Sequence, residues 1–314
     1  MVRQGSADME SGLAGELGLL ALLATLWGAS YTFIKLGVAT IPPATLIAGR
    51  TLTAGLVLLI VLKFRGVALP HDRATWTAFL IQACLNSVLP FTLIAWAEQR
   101  VEASLATILN ATTPVFAFLI ALAVSGRGAA GGRTLFGVAA GLVGIALVVG
   151  TPALEGLGRD VLAELAIVAA TLAYGGAAVF GARFSGLDSM VPATGSLLCG
   201  AALMVPASVL IDRPWTLQPS PSSLAALVAL AVFSTALAFV IYFRLFRTLG
   251  AVGATAQAYL RVPIGVAIGA MVLGERLNAT VWLGLVFVVI GVAAVTMPRA
   301  AFRRRAALPH GCTG

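Results

Sequence analysis

Three cations lie inside long apolar stretches of this chain: Lys35, Arg50 and Arg261. A charge in such a setting is costly and must face protein or water. In "AQAYLRVPIGVAIG", Gln257, Arg261, Gly265 and Gly269 recur every four residues, with Pro263 among them. That spacing sets them along one helical face. The two glycines form a GxxxG surface that admits a second helix closely, so Arg261 is on or near a buried face. Pro263 removes a backbone hydrogen bond and frees nearby carbonyls. Two roles are open to Arg261. It ties to those carbonyls, or to Tyr259, Glu98 or Glu275; or, in a water-lined cavity, its guanidinium is a fork for a bound carboxylate. Arg50 lies roughly 12 Å into its stretch by helical rise, and a tie to carbonyls or to a partner helix is its favoured role.

Other polar groups inside apolar stretches are few. Trp27, Tyr31 and Lys35 are spaced i, i+4, i+8 with Ser30 beside them, so they share a face. Trp27 and Tyr31 either line a cavity or serve as packing and interface aromatics, and Lys35, near a span end, can snorkel. Gln82, Asn86 and Pro90 repeat at i+4; Ser104, Thr107, Asn110 and Pro114 repeat at i+3 and i+4. Interhelical hydrogen bonding is one reading of these. Asn86 and Asn110 are the better cavity candidates, because an amide both donates and accepts. No acid and no histidine lies in the middle of an apolar stretch, so no obvious proton relay is expected. Glu98 and Glu275, near span ends, leave proton coupling as a minority reading. No nucleophile–base pair and no Cys/His cluster is present, so neither catalytic residues nor a metal or cofactor is expected.

The elements that hold these groups are membrane spans. Of 314 residues, 60% are hydrophobic and only 10% charged, against about 25% charged in soluble domains. Apolar runs of about 20 residues suit bilayer-crossing helices. Ten are expected, at roughly 16–38, 43–62, 75–97, 101–124, 134–151, 161–182, 189–211, 222–243, 250–273 and 279–297. The net charge of +8 does not indicate nucleic acid, because the basic residues sit in short loops and in the tail rather than on one face. They report topology instead. With the N-terminus in the cytoplasm, 13 Lys and Arg fall on that side and 4 on the other, the remaining 3 being inside spans. Both termini are therefore expected in the cytoplasm. The acidic "MVRQGSADME" is a poor signal peptide and is expected to be retained.

The chain also repeats. "TPVFAFLIALAVSGR" (113–127) matches "VPIGVAIGAMVLGER" (262–276), and the glycine pair Gly137 and Gly144 matches Gly284 and Gly291. "ATLWG" (24–28) matches "ATLAYG" (170–175), which brings in Tyr174. Each copy holds five spans, an odd number, so the second enters the membrane upside down. The fold expected is an all-α integral membrane protein of ten transmembrane helices in two inverted five-helix repeats. Residues 1–15 form a cytoplasmic N-terminal segment, 16–151 and 152–298 the repeats, and 299–314 a basic cytoplasmic tail.

These residues resemble the EamA family of the drug/metabolite transporter superfamily. The resemblance is carried by "LWGASYTFIKLGV", "PPATLIAGRTLTAGLVLL", "TTPVFAF", "FSTALAFVIYFRLFRTLGA" and "VPIGVAIGAMVLGERLNATVWLGLVFVVIGV", and covers roughly 17–298. The first copy departs from the pattern, reading "VSGRG" where the second reads "VLGER". The resemblance implies a central cavity and efflux of small metabolites, often amino acids, with Arg50 at the family's usual arginine position. The expected protein is an exporter in a bacterial inner membrane, a monomer or homodimer in the lipid bilayer. Its substrate is expected to be a zwitterionic or anionic small molecule. The expected substrate-binding residues are Trp27, Ser30, Tyr31, Arg50, Asn86, Asn110, Tyr174, Gln257 and Arg261. Drug efflux, or uptake of a small organic solute, is the alternative in the same architecture.

Overall fold

A computed structural model describes residues 2–101, 103–125, 131–149, 158–262, 264 and 279–296. Glu102, Pro263, Gly265, Gly269, Glu275 and the basic tail lie outside them. Among the described residues there is no strand. Seven helical runs are long and apolar enough to cross a membrane: Ala14–Val38, Pro43–Phe64, Arg73–Ala97, Leu105–Val124, Val161–Phe184, Met190–Ile211 and Pro221–Thr255. Two shorter apolar helices, Gly132–Leu147 and Trp282–Val295, accompany them. Large apolar side chains such as Phe64, Leu119, Leu165, Val228 and Val289 are exposed on the outside, a surface suited to lipid rather than water.

The helices run in order as α1 (Val2–Val38), α2 (Pro43–Phe64), α3 (Arg73–Ala83), α4 (Leu89–Ala97), α5 (Ala103–Asn110), α6 (Thr113–Ser125) and α7 (Gly132–Val149). There follow α8 (Val161–Gly181), α9 (Met190–Ile211), α10 (Pro221–Ala231) and α11 (Ala238–Thr255). Residues 257–262 form α12, and α13 is Ala279–Thr296. Local chemistry sets several starts. Asp72 accepts from the Thr75 amide at 2.7 Å, Asp160 from the Ala163 amide at 3.1 Å and Ser220 from the Ser223 amide at 3.2 Å. Each satisfies a donor that the first helical turn leaves free. Pro43 and Pro221 occupy first-turn positions, where the missing N–H costs nothing.

Two spans are interrupted by π-helical segments, Cys84–Val88 between α3 and α4 and Val232–Leu237 between α10 and α11. Such a segment widens one turn and turns carbonyls away from the regular ladder. In the first, Pro90 follows closely and has no N–H to offer the preceding turn. In α11, Gly250 takes φ 72° and ψ 178°, which breaks the helix there. Only glycine visits that conformation readily, and the break falls between the expected eighth and ninth spans.

Helices α7 and α13 pack together along their lengths, as do α2 and α9. Helix α8 packs on α4 and α6, and α1 on α10. The α7–α13 contact is backbone on backbone. A Cβ added at Gly144 would sit 2.6 Å from the Val288 nitrogen, and one at Gly291 2.6 Å from the Gly141 nitrogen. Side chains larger than hydrogen at these points would push the helices apart.

Candidate functional site

An internal pocket of about 500 Å³, counting its open mouth, lies where α1, α2, α4, α8, α11 and α12 converge with the junction of α5 and α6. Of the nine expected residues, eight line it: Trp27, Ser30, Tyr31, Arg50, Asn110, Tyr174, Gln257 and Arg261.

Arg50 is 2% exposed in the middle of α2. Its Nε donates to Thr235 Oγ1 at 2.7 Å and an Nη donates to the Ser234 carbonyl at 3.4 Å. Its guanidinium lies 3.5 Å from the centre of the Phe91 ring, a cation–π stack strengthened by burial. Trp27 Nε1 donates to the same Ser234 carbonyl at 3.0 Å, and Ser234 Oγ returns a bond to the Leu26 carbonyl at 2.7 Å. The π segment thus presents a carbonyl that two side chains of the pocket use. The tie of Arg50 to a partner helix is present, and its guanidinium still borders the pocket.

Arg261 is held differently. Its Nε donates to Gln257 Oε1 at 2.9 Å, one turn earlier, and an Nη donates to the Tyr31 hydroxyl at 3.0 Å. The Asn110 amide also donates to that hydroxyl. Asn110 Oδ1 accepts from Thr113 Oγ1 at 2.7 Å. The rings of Trp27 and Tyr31 stand 5.3 and 5.8 Å from the Arg261 guanidinium. These two hydrogen bonds engage two of the five N–H groups of a guanidinium. No described carboxylate makes a salt bridge with Arg261 or Arg50, and no acid lines the pocket among the described residues. The result is a low-dielectric space with two fixed cations, amide and hydroxyl groups, and walls of Trp27, Phe91, Tyr174 and Tyr242. Such a space attracts a carboxylate and repels a cation.

Asn86 is not brought to the pocket. It lies in the first π segment, 1% exposed, where that segment meets α8 and α9. Its amide and that of Gln82 have no hydrogen-bond partner among the described residues. The π turn is the physical reason: an extra residue in one turn rotates the remainder of the helix, so a face extrapolated at i+4 misses its target. Lys35 does not line the pocket either. Its Nζ donates to the carbonyls of Glu98 and, at 2.9 Å, Val101, carbonyls that the C-terminus of α4 leaves free. Ile34, Phe91, Ile94, Thr113, Tyr242 and Thr255 complete the lining and were not expected from the sequence. Phe91, Ile34 and Ile94 look like any apolar side chain of a span.

Comparison with known proteins shows the family. A model of the EamA-like transporter family matches residues 15–150 and 161–297. The uncharacterized inner membrane transporter YedA of Escherichia coli strain K12 is 30% identical over 288 residues, covering 91% of this chain and 92% of YedA. An uncharacterized transporter of Archaeoglobus fulgidus is 25% identical over 282 residues, covering 88% of this chain and 96% of its own. A solved crystal structure at 19% sequence identity reaches a TM-score of 0.71, covering 94% of this chain and 99% of that one. At that identity the likeness concerns the fold alone.

Proposed function

The chain belongs to the EamA-like transporter family and is a multi-pass membrane transporter; from that premise we propose that it exports small carboxylate-bearing metabolites, amino acids first among them. Export runs by alternating access of two inverted five-helix repeats, 16–151 and 152–298, around the pocket of Arg50 and Arg261. Ten helices cross the inner membrane of a bacterium, with the N-terminal segment and the tail 299–314 in the cytoplasm. The observation that carries the substrate class is the pocket itself: two buried guanidiniums, aromatic walls and no acid among the described lining residues. Trp27, Ser30, Tyr31, Asn110, Tyr174 and Gln257 shape it around the solute.

Support for the inverted repeat comes from mated contacts. The second and seventh spans pack together, as do the fifth and tenth helices. The first span packs on the eighth, chiefly on its start, and the sixth packs on the third, chiefly on its end, so the pairing of spans is shared while the half contacted differs. Both members of the third–eighth pair carry a π segment, and the repeat offset of 149 relates Asn86 to Thr235, one in each.

Counterflow into proteoliposomes, with labelled amino acids and organic acids as probes, tests the reading. Wild type is expected to exchange at least one such solute, and Arg261→Ala to lower that exchange at least about tenfold, the equivalent of one charge-assisted hydrogen bond. Equal uptake of every solute by both proteins would remove Arg261 from substrate selection. Transport of cationic dyes without any carboxylate solute would instead favour drug efflux.

A further inference from the structure

Glu98 is completely buried, although it lies one residue beyond the span Arg73–Ala97. Ile94, one turn earlier on α4, lines the pocket. Neither carboxyl oxygen of Glu98 has a hydrogen-bond partner among the described residues. Its backbone carbonyl, with that of Val101, accepts from Lys35 Nζ, and Ile34 beside Lys35 also lines the pocket. Helix α1 is thereby latched to the α4–α5 turn at one end of the cavity. The charged and titratable groups that bear on the Glu98 carboxyl are Lys35 and Tyr31 on α1, Arg50 on α2 and Tyr174 on α8. None makes a salt bridge or hydrogen bond to it among the described residues. Burial pushes the carboxyl up to about 9, against the pull of Lys35 and then Arg50. At neutral pH the side chain is therefore an uncharged acid.

An ionised carboxylate without hydrogen bonds cannot stay in such a place; it must find water or a counter-ion. We propose that Glu98 is a proton-binding site that operates the Lys35 latch: protonated, it stays buried while Lys35 holds the two carbonyls, and on losing its proton it draws the α4–α5 turn outward and opens this end of the cavity. The O–H bond of the carboxyl breaks, the proton passes to water on that face, and the carboxylate is hydrated there as the turn moves out. The proposal rests on the alternating-access reading and gives it a coupled ion.

The test needs no substrate. Spin labels at Leu36→Cys and Gln99→Cys, both exposed positions, report the α1 to α4–α5 distance in the full chain with Cys84, Cys199 and Cys312 replaced by serine. Between about pH 6 and the titration midpoint, the longer-distance population is expected to grow about tenfold per pH unit. Glu98→Gln, a neutral isostere, is expected to stay at the short distance throughout. Glu98→Asp should restore the transition with a shifted midpoint. A wild-type distance that ignores pH, or a Glu98→Gln protein that titrates as wild type does, overturns the proposal. Counterflow at one fixed pH needs no titration. Working counterflow with a pH-silent latch therefore defeats only the proton site, whereas a titrating latch without counterflow of any carboxylate defeats only the proposed substrate class.

Discussion

The two buried arginines of the pocket are fixed to different degrees. Arg50 stacks on Phe91 and bonds to Thr235 and Ser234, which its planar fork can do at once and an ammonium cannot. Arg50→Lys keeps the charge and loses the stack and the Nε bond. We expect it to destabilise the protein by about 1–3 kcal/mol, read as a lower Tm of the purified protein in detergent. An unchanged Tm would mean that Arg50 is not a structural tie. Arg261 bonds instead to Gln257 and to a tyrosine hydroxyl shared with Asn110, an arrangement that leaves donors for a ligand. Both arginines stood out in the sequence because charge is scarce there. Their difference did not, since it depends on Ser234 and Thr235, which are more than 180 residues from Arg50 along the chain.

At the scale of elements, glycine spacing and π segments decide how close helices come and where their faces point. The pairs Gly137/Gly144 and Gly284/Gly291 were visible as a repeat, and they meet in space along α7 and α13. A Cβ at Gly144 would lie 2.6 Å from the Val288 nitrogen and 2.7 Å from the Gly284 oxygen, both backbone atoms that cannot rotate aside. Gly144→Ala is therefore expected to cost about 1–3 kcal/mol through forced separation. Gly176→Ala, where the nearest atom is a Leu85 methyl at 3.9 Å, should stay within about 0.5 kcal/mol. Thermal unfolding of the two variants side by side checks this, and equal effects would dismiss the close-contact argument. The π segments were not legible. Pro90 hinted at an irregular turn, but nothing marked Val232–Leu237, because a π turn arises from how carbonyls are taken up by neighbours such as Trp27 and Arg50. The misplacement of Asn86 has the same cause.

At the scale of the molecule, one buried proton makes stability depend on pH. The unfolded chain ionises Glu98 near 4.5, whereas the folded protein holds the proton up to about 9. The folded state binds more protons between those values, so stability falls as pH rises through that window and levels off on either side. Tm measured in detergent across that range should decline for wild type relative to Glu98→Gln, in which this contribution is absent. Parallel curves for the two proteins would place the carboxylate in water and contradict its burial.

The sequence by itself determined the apolar spans, the family and eight of the pocket's residues, because charge scarcity and helical spacing are local properties that a chain carries with it. Tertiary structure alone decided which polar groups meet. It sent Asn86 to a neighbouring seam, seated Tyr242 and Phe91 in the wall, and buried Glu98, which the sequence marked only as an acid near a span end. Burial and hydrogen-bond partners come from helices far apart along the chain, and no local pattern encodes them.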